Sequence, residues 1–580
     1  MKPSHTSLLA DILAFVEDEQ CQAAERLRDT WSRPLAAKLQ AGQTQRFLQV
    51  ESAESSDTLW AYPDEGESRF REGDLLVLHT GSPLGDLLGR GLALELDDGE
   101  RWLLRGKAAG DVLRGLGVRV AYADADAIDL SAYFRATMDE VRTSEIGREV
   151  LMPLLCGEID IGFSDARVAS AEAVARQRGF NDRQVQAVGL AVAAEQLACI
   201  QGPPGTGKSA VLALAVRLMV GSGERVLVTA HTHMAINNVL NKIAAEGAPV
   251  VKIGALTQCR ALDASVPRCK DFAGWDARPR RGGYAVGATP FATCTVRLER
   301  CEFDVIVFDE ASQVTVPLAL MAMRKGRRFV FVGDQQQLPP VVLSRSVFDR
   351  RSMSAFATLT AADADHCVML DQTYRLNRWL TEWPSRTYYG GALRSAGHNR
   401  DRRLVLRDLP ARLSALLGAD HCGVFVPTLD RTARVRNERD AELVATLCSA
   451  ALAGGLAASD IGVVTPYRAQ GRAVREALRR AVGQEAARAI VADTVERMQG
   501  QEREMVIVSL ATGDEAFLGA VAGFFFEPQR LNVSITRAKS KLIVIGPSID
   551  NAPPIEPDEL RQWVLQYIDL VRHLERVEVA

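Results

Sequence analysis

This 580-residue sequence has no C-x-x-C pair and no apolar run long enough to cross a bilayer. Its ten cysteines are scattered. Two His-Cys dipeptides, His366-Cys367 and His421-Cys422, lack a second ligand pair at zinc-finger spacing. The sequence therefore predicts buried free thiols, no zinc and a cytoplasmic compartment. A positive excess is also missing: 69 Lys and Arg against 73 Asp and Glu give a formal charge of −4. A nucleic-acid partner would have to meet local basic surface, because no global field attracts it. The apolar N-terminal stretch "SLLADILAFV" is interrupted by Asp11, and no small-residue cleavage site follows. Leu9, Ile12, Leu13 and Val16 instead take helical spacing, which predicts an amphipathic helix; neither a signal peptide nor a membrane partner is expected. Low-complexity segments and close internal repeats are absent too.

What remains is ordinary globular composition, 47% hydrophobic and 24% charged, in a chain too long for one core. Residues 1–45 read as helical. Residues 46–125 carry strand patterning, with Leu92, Leu94 and Leu96 alternating before a turn at "DDGE", and predict a small β-barrel. Residues 126–180 return to helix. From there short apolar runs alternate with helical stretches: "LACI", "RVLVTA", "PVVKIG", "FDVIVFDE", "RRFVFVGD", and then "CVMLD", "GVFVP", "DIGVVTP", "EMVIVSL", "KLIVIG". That rhythm predicts two successive α/β units with mostly parallel sheets, at 181–345 and 346–550. A closing helix is expected in 551–580.

The chemistry begins at "GPPGTGKS". The strand "LACI" leads into a glycine-rich turn of Gly202, Pro203, Pro204, Gly205, Thr206 and Gly207, and a helix opens at Lys208. Backbone N–H groups of such a turn point at phosphate oxygens, Lys208 reaches the outer phosphates, and the Ser209 hydroxyl ligates Mg²⁺. In "VIVFDEASQ" an apolar strand delivers Asp309, a second Mg²⁺ ligand acting through water, and Glu310, placed to polarise an attacking water. "FVGDQQQLPP" adds Gln337, a neutral amide able to contact the γ-phosphate or that water. "DQTYRLN" and "RLNVSITRAKS" offer Arg375 and Arg537 as arginines that neutralise charge on the transferring group.

Read in order, "NDRQVQAV", "GPPGTGKS", "VLVTAHTHMAINNVL", "ATCTV", "FDEASQ", "GDQQQLPP", "LDQTYRLN", "VVTPYRAQ", "ADTVERMQGQEREMVIVSL" and "RLNVSITRAKSKLIVIG" resemble the superfamily 1 helicases, in the up-frameshift-like branch. The resemblance implies an α/β fold of two tandem RecA-like P-loop domains with parallel sheets, plus a small N-terminal β-barrel on a helical stalk. It implies ATP as the nucleotide, with Gln184 reading the adenine edge, Tyr374 stacking on the base, and Glu502 facing the nucleotide from the second domain. Thr232, His233 and Thr295, with Thr465, Pro466, Tyr467 and Thr494, would contact a nucleic-acid backbone without reading its sequence. Four positions depart from the family's usual letters: His233 for Asn, Asn237 for Asp, Glu496 for Asp and Met498 for Phe. The insertion at about 255–285 is short and carries the basic "RPRRGG".

The function these readings imply is an ATP-dependent, 5′-to-3′ translocase or helicase on single-stranded DNA or RNA and duplex junctions, working as a monomer. Two other readings stay open: an ATPase that remodels nucleoprotein complexes without unwinding, and a slow nucleotide-dependent switch or scaffold. DNA and RNA are not separated, because discrimination rests on contacts to the 2′-hydroxyl.

Overall fold

Ser4 caps the first helix, His5–Ser32, by accepting a hydrogen bond from Ser7 N. The helix buries Leu9, Ile12, Phe15 and Val16; Phe15 completes the stripe where the spacing suggested Leu13. Leu9 and Ile12 pack beside Met138 and Val141 of the helix Ser131–Thr143, so the two helical segments flanking the barrel form one stalk. This computed structural model describes residues 4–579 apart from the segments 65–69, 71–72, 98–99, 117–119, 128, 256–257, 260, 344–352, 361–364, 429 and 550–557.

Six antiparallel strands close the barrel: β1 (Thr44–Ser52), β2 (Thr58–Pro63), β3 (Leu75–His79), β4 (Leu87–Asp97), β5 (Trp102–Arg105) and β6 (Ala121–Ala125), in the order β1-β2-β5-β4-β3-β6. The expected alternation along β4 holds only in part. Leu92 and Leu94 are fully buried, but the β4–β5 register shifts between Leu94 and Leu96, and Leu96 is exposed. A bulge adds one residue to one strand and so reverses the face that follows it. Lys38, from the short helix Leu35–Gln40, is buried and ion-paired with buried Asp124 of β6, which also accepts from Thr44 Oγ1. A desolvated charge needs such a partner, and this one locks stalk to barrel.

The first α/β unit has an eight-stranded, all-parallel sheet. Its strands are β7 (Leu197–Gln201), β8 (Arg225–Thr229), β9 (Val250–Ile253), β10 (Arg268–Cys269), β11 (Tyr284–Gly287), β12 (Val305–Phe308), β13 (Arg328–Gly333) and β14 (Cys367–Met369). The order is β10-β9-β11-β8-β12-β13-β7-β14. One expectation needs correction. "CVMLD" is not the opening strand of the second unit: Cys367 pairs with Cys199 and Met369 with Gln201, so β14 completes the edge of the first sheet. The short segment at about 255–285 contributes β10 and packs Phe272 and Trp275 against Tyr284.

A two-stranded ribbon, β15 (Gln372–Thr373) with β16 (Arg394–Ser395), follows the crossover. The second parallel sheet then runs β19-β18-β20-β21-β17-β22. Its strands are β17 (Gly423–Pro427), β18 (Ile461–Thr465), β19 (Val491–Thr494), β20 (Arg503–Ser509), β21 (Ala538–Gly546) and β22 (Glu575–Arg576). The closing helix, Asp558–His573, is followed by β22, which adds to the sheet beside β17. No helix among the described residues is long and apolar enough to cross a membrane.

Candidate nucleotide site and nucleic-acid surface

In open parallel sheets, ligands sit beyond the carboxyl ends of the strands. Here β12, β13 and β7 are neighbours, so Asp309, Asp334 and the 202–209 turn emerge side by side. Gly202 N donates to Gly333 O at 2.9 Å, tying the turn to the end of β13. Gly207 caps the helix Lys208–Gly221 from the left-handed region, φ 83°. The Lys208 ammonium folds back onto the Gly202 carbonyl, within the turn that would receive phosphates.

The chain that leaves the first sheet comes directly against this turn. Thr373 Oγ1 donates to Pro204 O at 2.7 Å, and Tyr374 N donates to Gly205 O at 2.8 Å. A Cβ on Gly205, itself at φ +74°, would stand 2.4 Å from Arg375 Cβ and 2.7 Å from Thr373 Oγ1; only glycine fits. Beside it, Asn181 and Gln184 form a capping box, Gln184 Nε2 donates to Thr206 O at 3.0 Å, and Asn181 Nδ2 donates to the Tyr374 hydroxyl at 2.8 Å. Gln184 and Tyr374 thus sit together at the mouth of the turn, and the Tyr374 ring stacks on His398 at 5.7 Å. Asn181 opens the quoted motif "NDRQVQAV" but was given no role, and the sequence carried no signal for His398.

Both arginines approach from the second unit. Arg375 Nε donates to Glu502 Oε2 at 2.7 Å and Nη1 to Thr536 O at 3.0 Å; Lys539 Nζ holds the other Glu502 oxygen at 2.9 Å. Burial works against the Glu502 charge, but Arg375 and Lys539 outweigh it and hold the carboxyl at about 2. Glu502 therefore positions Arg375 here and does not stand free toward a nucleotide. Arg537 is buried, donating to Val533 O and Gln501 O at 2.9 and 3.4 Å. Burial and the neighbouring Arg375 charge pull its guanidinium down to about 9, against an opposing pull from Glu310.

On the opposite wall Asp309 is 5% exposed, and burial together with the Glu310 charge lifts its carboxyl to about 7. Glu310 takes a left-handed backbone, φ 48°, which a non-glycine residue adopts at a cost of about 1–3 kcal/mol and which clusters at active sites. Lys242 of the helix His233–Ala245 adds a cation that interacts with Asp309 and Glu502, its own pKa lowered by burial.

Gln337 is buried, and its amide donates to Asp334 Oδ2 at 2.8 Å. The same carboxylate oxygen accepts from the Tyr389 hydroxyl at 2.8 Å, and Asn532 Nδ2 donates to Tyr389 at 2.9 Å and to Gln336 O at 2.8 Å. Tyr389 and Asn532 were not legible as site residues; nothing in their local pattern says that tertiary packing puts them on Asp334. They join the Gln337 loop of the first unit to the helix Pro528–Ile535 that precedes Arg537. Tyr389→Phe removes two buried hydrogen bonds, one to Asp334 and one from Asn532, although each group keeps a second partner. It is expected to destabilise the fold by about 1–3 kcal/mol, read as a Tm lowered by a few degrees.

Family models described as AAA domain match residues 179–383 and 345–549, tiling both parallel-sheet units. The "DNA replication ATP-dependent helicase/nuclease DNA2" of Mus musculus is 30% identical over 420 residues, covering 65% of this chain and 38% of that protein. These matches bear out the likeness to superfamily 1 helicases. The Homo sapiens protein of the same name is 29% identical over 411 residues, with the same two coverages. The "DNA polymerase alpha-associated DNA helicase A" of Schizosaccharomyces pombe is 27% identical over 451 residues, 66% of each chain. The chain thus spans under half the length of the mouse and human relatives it matches.

Five of the seven residues expected to meet a nucleic-acid strand line two clefts. Thr232, His233 and Thr295 line one on the first unit, with His231 and Arg297. Thr232 caps its helix by accepting from Ala235 N, and Thr295 Oγ1 donates to Ala292 O at 3.0 Å. His233 Nδ1 lies 3.1 Å from the Nζ of buried Lys252. Burial, with the Lys252 charge, pulls the ring down to about 4, which leaves His233 neutral at pH 7. Thr465 and Thr494 line the other cleft with Arg468, Arg472, Arg475 and Arg497, opposite Ala41 and Gly42 of the stalk. Asp493 shares this cleft and pairs with Arg497 at 2.7 Å, so the arginines are partly offset and the lining stays basic on balance.

Pro466 is half-buried. Thr465 Oγ1 donates to Tyr467 O, and the Tyr467 ring packs against Phe524 and Phe525 at 5.8 and 6.5 Å. Tyr467 is thus tied into aromatic packing within the second unit.

Proposed function

We propose that the chain hydrolyses ATP between its two parallel-sheet units and uses the cycle to move 5′ to 3′ along single-stranded nucleic acid, opening duplex at junctions. One observation carries this reading. The segment bearing Arg375 is hydrogen-bonded to the phosphate turn of the other unit through Thr373 and Tyr374. A nucleotide seated on that turn touches both units at once.

The turn's N–H groups and Lys208 would bind the phosphates, which requires Lys208 to leave the Gly202 carbonyl. Gln184 and Tyr374 would hold the adenine. Ser209 and Asp309 offer hard oxygen donors, a set that suits Mg²⁺. When bound there, the ion would neutralise phosphate charge. Glu310 would take a proton from the attacking water, and Gln337 would sense the γ-phosphate. Arg375 and Arg537 would face the charge that develops as the bond breaks. Because the groups are divided between units, cleavage and release alter the contact between them. The two clefts, one on each unit, would then grip a strand differently from one state to the next. The names of the mouse and human relatives support DNA as a substrate for this family; the clefts, built from hydroxyls and arginines, fit either nucleic acid.

The test is ATP turnover with matched single-stranded DNA and RNA, followed by unwinding of duplexes carrying 5′ or 3′ tails. Stimulated turnover with unwinding from a 5′ tail is expected. Stimulation without unwinding would favour remodelling, and no stimulation would favour a switch.

Asp309 supplies a pH prediction. Its folded pKa, about 7, lies above the ordinary 3.8, so ionising it costs the fold. Stability without nucleotide therefore falls as pH rises through the window between these values, and the full cost stands above it. Asp309→Asn removes that cost. It is expected to raise the nucleotide-free Tm by a few degrees at pH 8, with little change at pH 4, while abolishing turnover.

A further inference from the structure

Cys199 lies in β7, three residues before the phosphate turn, and Cys367 lies directly opposite it in β14. Next to Cys367, His366 accepts Cys199 N on its carbonyl at 2.8 Å, so its side chain is carried to the same edge. One imidazole nitrogen and the two Sγ atoms all lie within 4.8 Å of one another. We infer that Cys199, His366 and Cys367 form a binding site for a thiophilic divalent cation, Zn²⁺ by donor chemistry.

Three features of the geometry carry this. First, the donor set is two sulfurs and one imidazole, which selects Zn²⁺ over the oxygen-seeking Mg²⁺ of the nucleotide site. Second, tetrahedral Zn²⁺ has bonds of about 2.3 Å to sulfur and about 2.0 Å to nitrogen, so its donors stand roughly 3.5–3.8 Å apart. Atoms already within 4.8 Å close that gap by small side-chain adjustments. Third, His366 Nε2 lies 2.9 Å from the Leu359 carbonyl oxygen. As donor there Nε2 carries the proton, and Nδ1 keeps its lone pair. A ligating histidine is oriented in this way, its second nitrogen spent on a carbonyl. Cys199 is fully buried whereas His366 and Cys367 are half-exposed, so a fourth position opens to water or a transient ligand.

This departs from the expectation of no zinc drawn from spacing. The dipeptide His366-Cys367 has no sequence-local partner pair, and the third ligand arrives only because β14 lies beside β7. An ion held there would staple the crossover strand leading to Arg375 onto the strand leading to the phosphate turn. The other His/Cys/carboxylate group among the described residues, His5, Cys156 and Glu158, has only one sulfur and serves as a control.

The test uses the full chain, stripped of metal under reducing conditions and titrated with Co²⁺, then Zn²⁺. Thiolate-to-cobalt charge-transfer absorption saturating at one equivalent is expected, displaced by Zn²⁺, with a Zn²⁺-dependent rise in Tm. Cys367→Ser and His366→Ala sit at half-exposed positions. Each is expected to weaken Co²⁺ binding at least tenfold and remove the Tm response, with unchanged circular dichroism. Cys156→Ser is expected to leave the signal intact. Absence of the thiolate band in wild type would overturn the site. So would its survival in Cys367→Ser, its loss in Cys156→Ser, or a Cys199–Cys367 disulfide in place of metal under those conditions. None of these readouts depends on ATP turnover, so the inference stands or falls apart from the motor reading.

Discussion

Glu310→Gln is expected to lower strand-stimulated ATP turnover by about 10²–10⁴-fold, the usual contribution of a positioned general base, while ATP affinity stays within a few-fold. The amide matches the carboxylate in shape, so the left-handed backbone at φ 48° carries the same strain in the variant. What is lost is the proton acceptor. The substitution also removes the negative charge that helps raise Asp309 toward 7, so Asp309 in the variant ionises at lower pH. Stopped-flow binding of a fluorescent ATP analogue separates retained affinity from lost chemistry. Unwinding should fall in parallel with turnover. Wild-type turnover in this variant would remove Glu310 from the catalytic role and with it the hydrolytic reading of the site.

Arg375→Ala is expected to cost about 10³–10⁵-fold in turnover, the range for an arginine that neutralises a transferring phosphoryl group. It is a cleaner probe than Arg537→Ala. Arg537 is 1% exposed and donates to carbonyls of its own unit, so its removal also leaves buried acceptors unpaired. Arg375 retains 10% side-chain exposure and is aimed by Glu502, 40% exposed. Arg375→Lys is expected to rescue little, because one ammonium cannot hold both Glu502 and the Thr536 carbonyl as the planar guanidinium does. Glu502→Gln should reduce turnover by a smaller factor, since Arg375 keeps its charge and loses only part of its aim. A single-turnover assay with trapped nucleotide checks all three. Equal losses in Glu502→Gln and Arg375→Ala would mean that Glu502 acts on the nucleotide itself.

Much of this protein was legible because its chemistry is local in sequence. A phosphate turn needs a strand before it, glycines within it and a helix after it, and all three lie in residues 197–221. A parallel strand buried on both faces shows as a short apolar run, so β7, β8, β12, β13, β17, β18, β20 and β21 could be placed from hydrophobicity alone. Strands with weak signals could not. β10, β19 and β22 are short edge strands, and β11, Tyr-Ala-Val-Gly, holds only one β-branched aliphatic residue beside the basic run that precedes it. The alternation that drew β4 broke at Leu96, because a bulge depends on the partner strand and leaves no mark on the strand's own pattern.

The sequence by itself determined the strongly apolar strands, the phosphate turn, the acidic strand end and the two candidate arginines. Each of these depends on residues within one turn or one strand of each other. Only the tertiary structure decided which groups meet. It moved Cys367–Met369 into the first sheet, paired Glu502 with Arg375, set Tyr389 between Asp334 and Asn532, and brought Cys199 to His366 and Cys367. Those contacts join residues far apart along the chain. Strand order and domain packing choose such partners, because burial rewards the summed fit of many side chains and no short stretch of sequence encodes that sum.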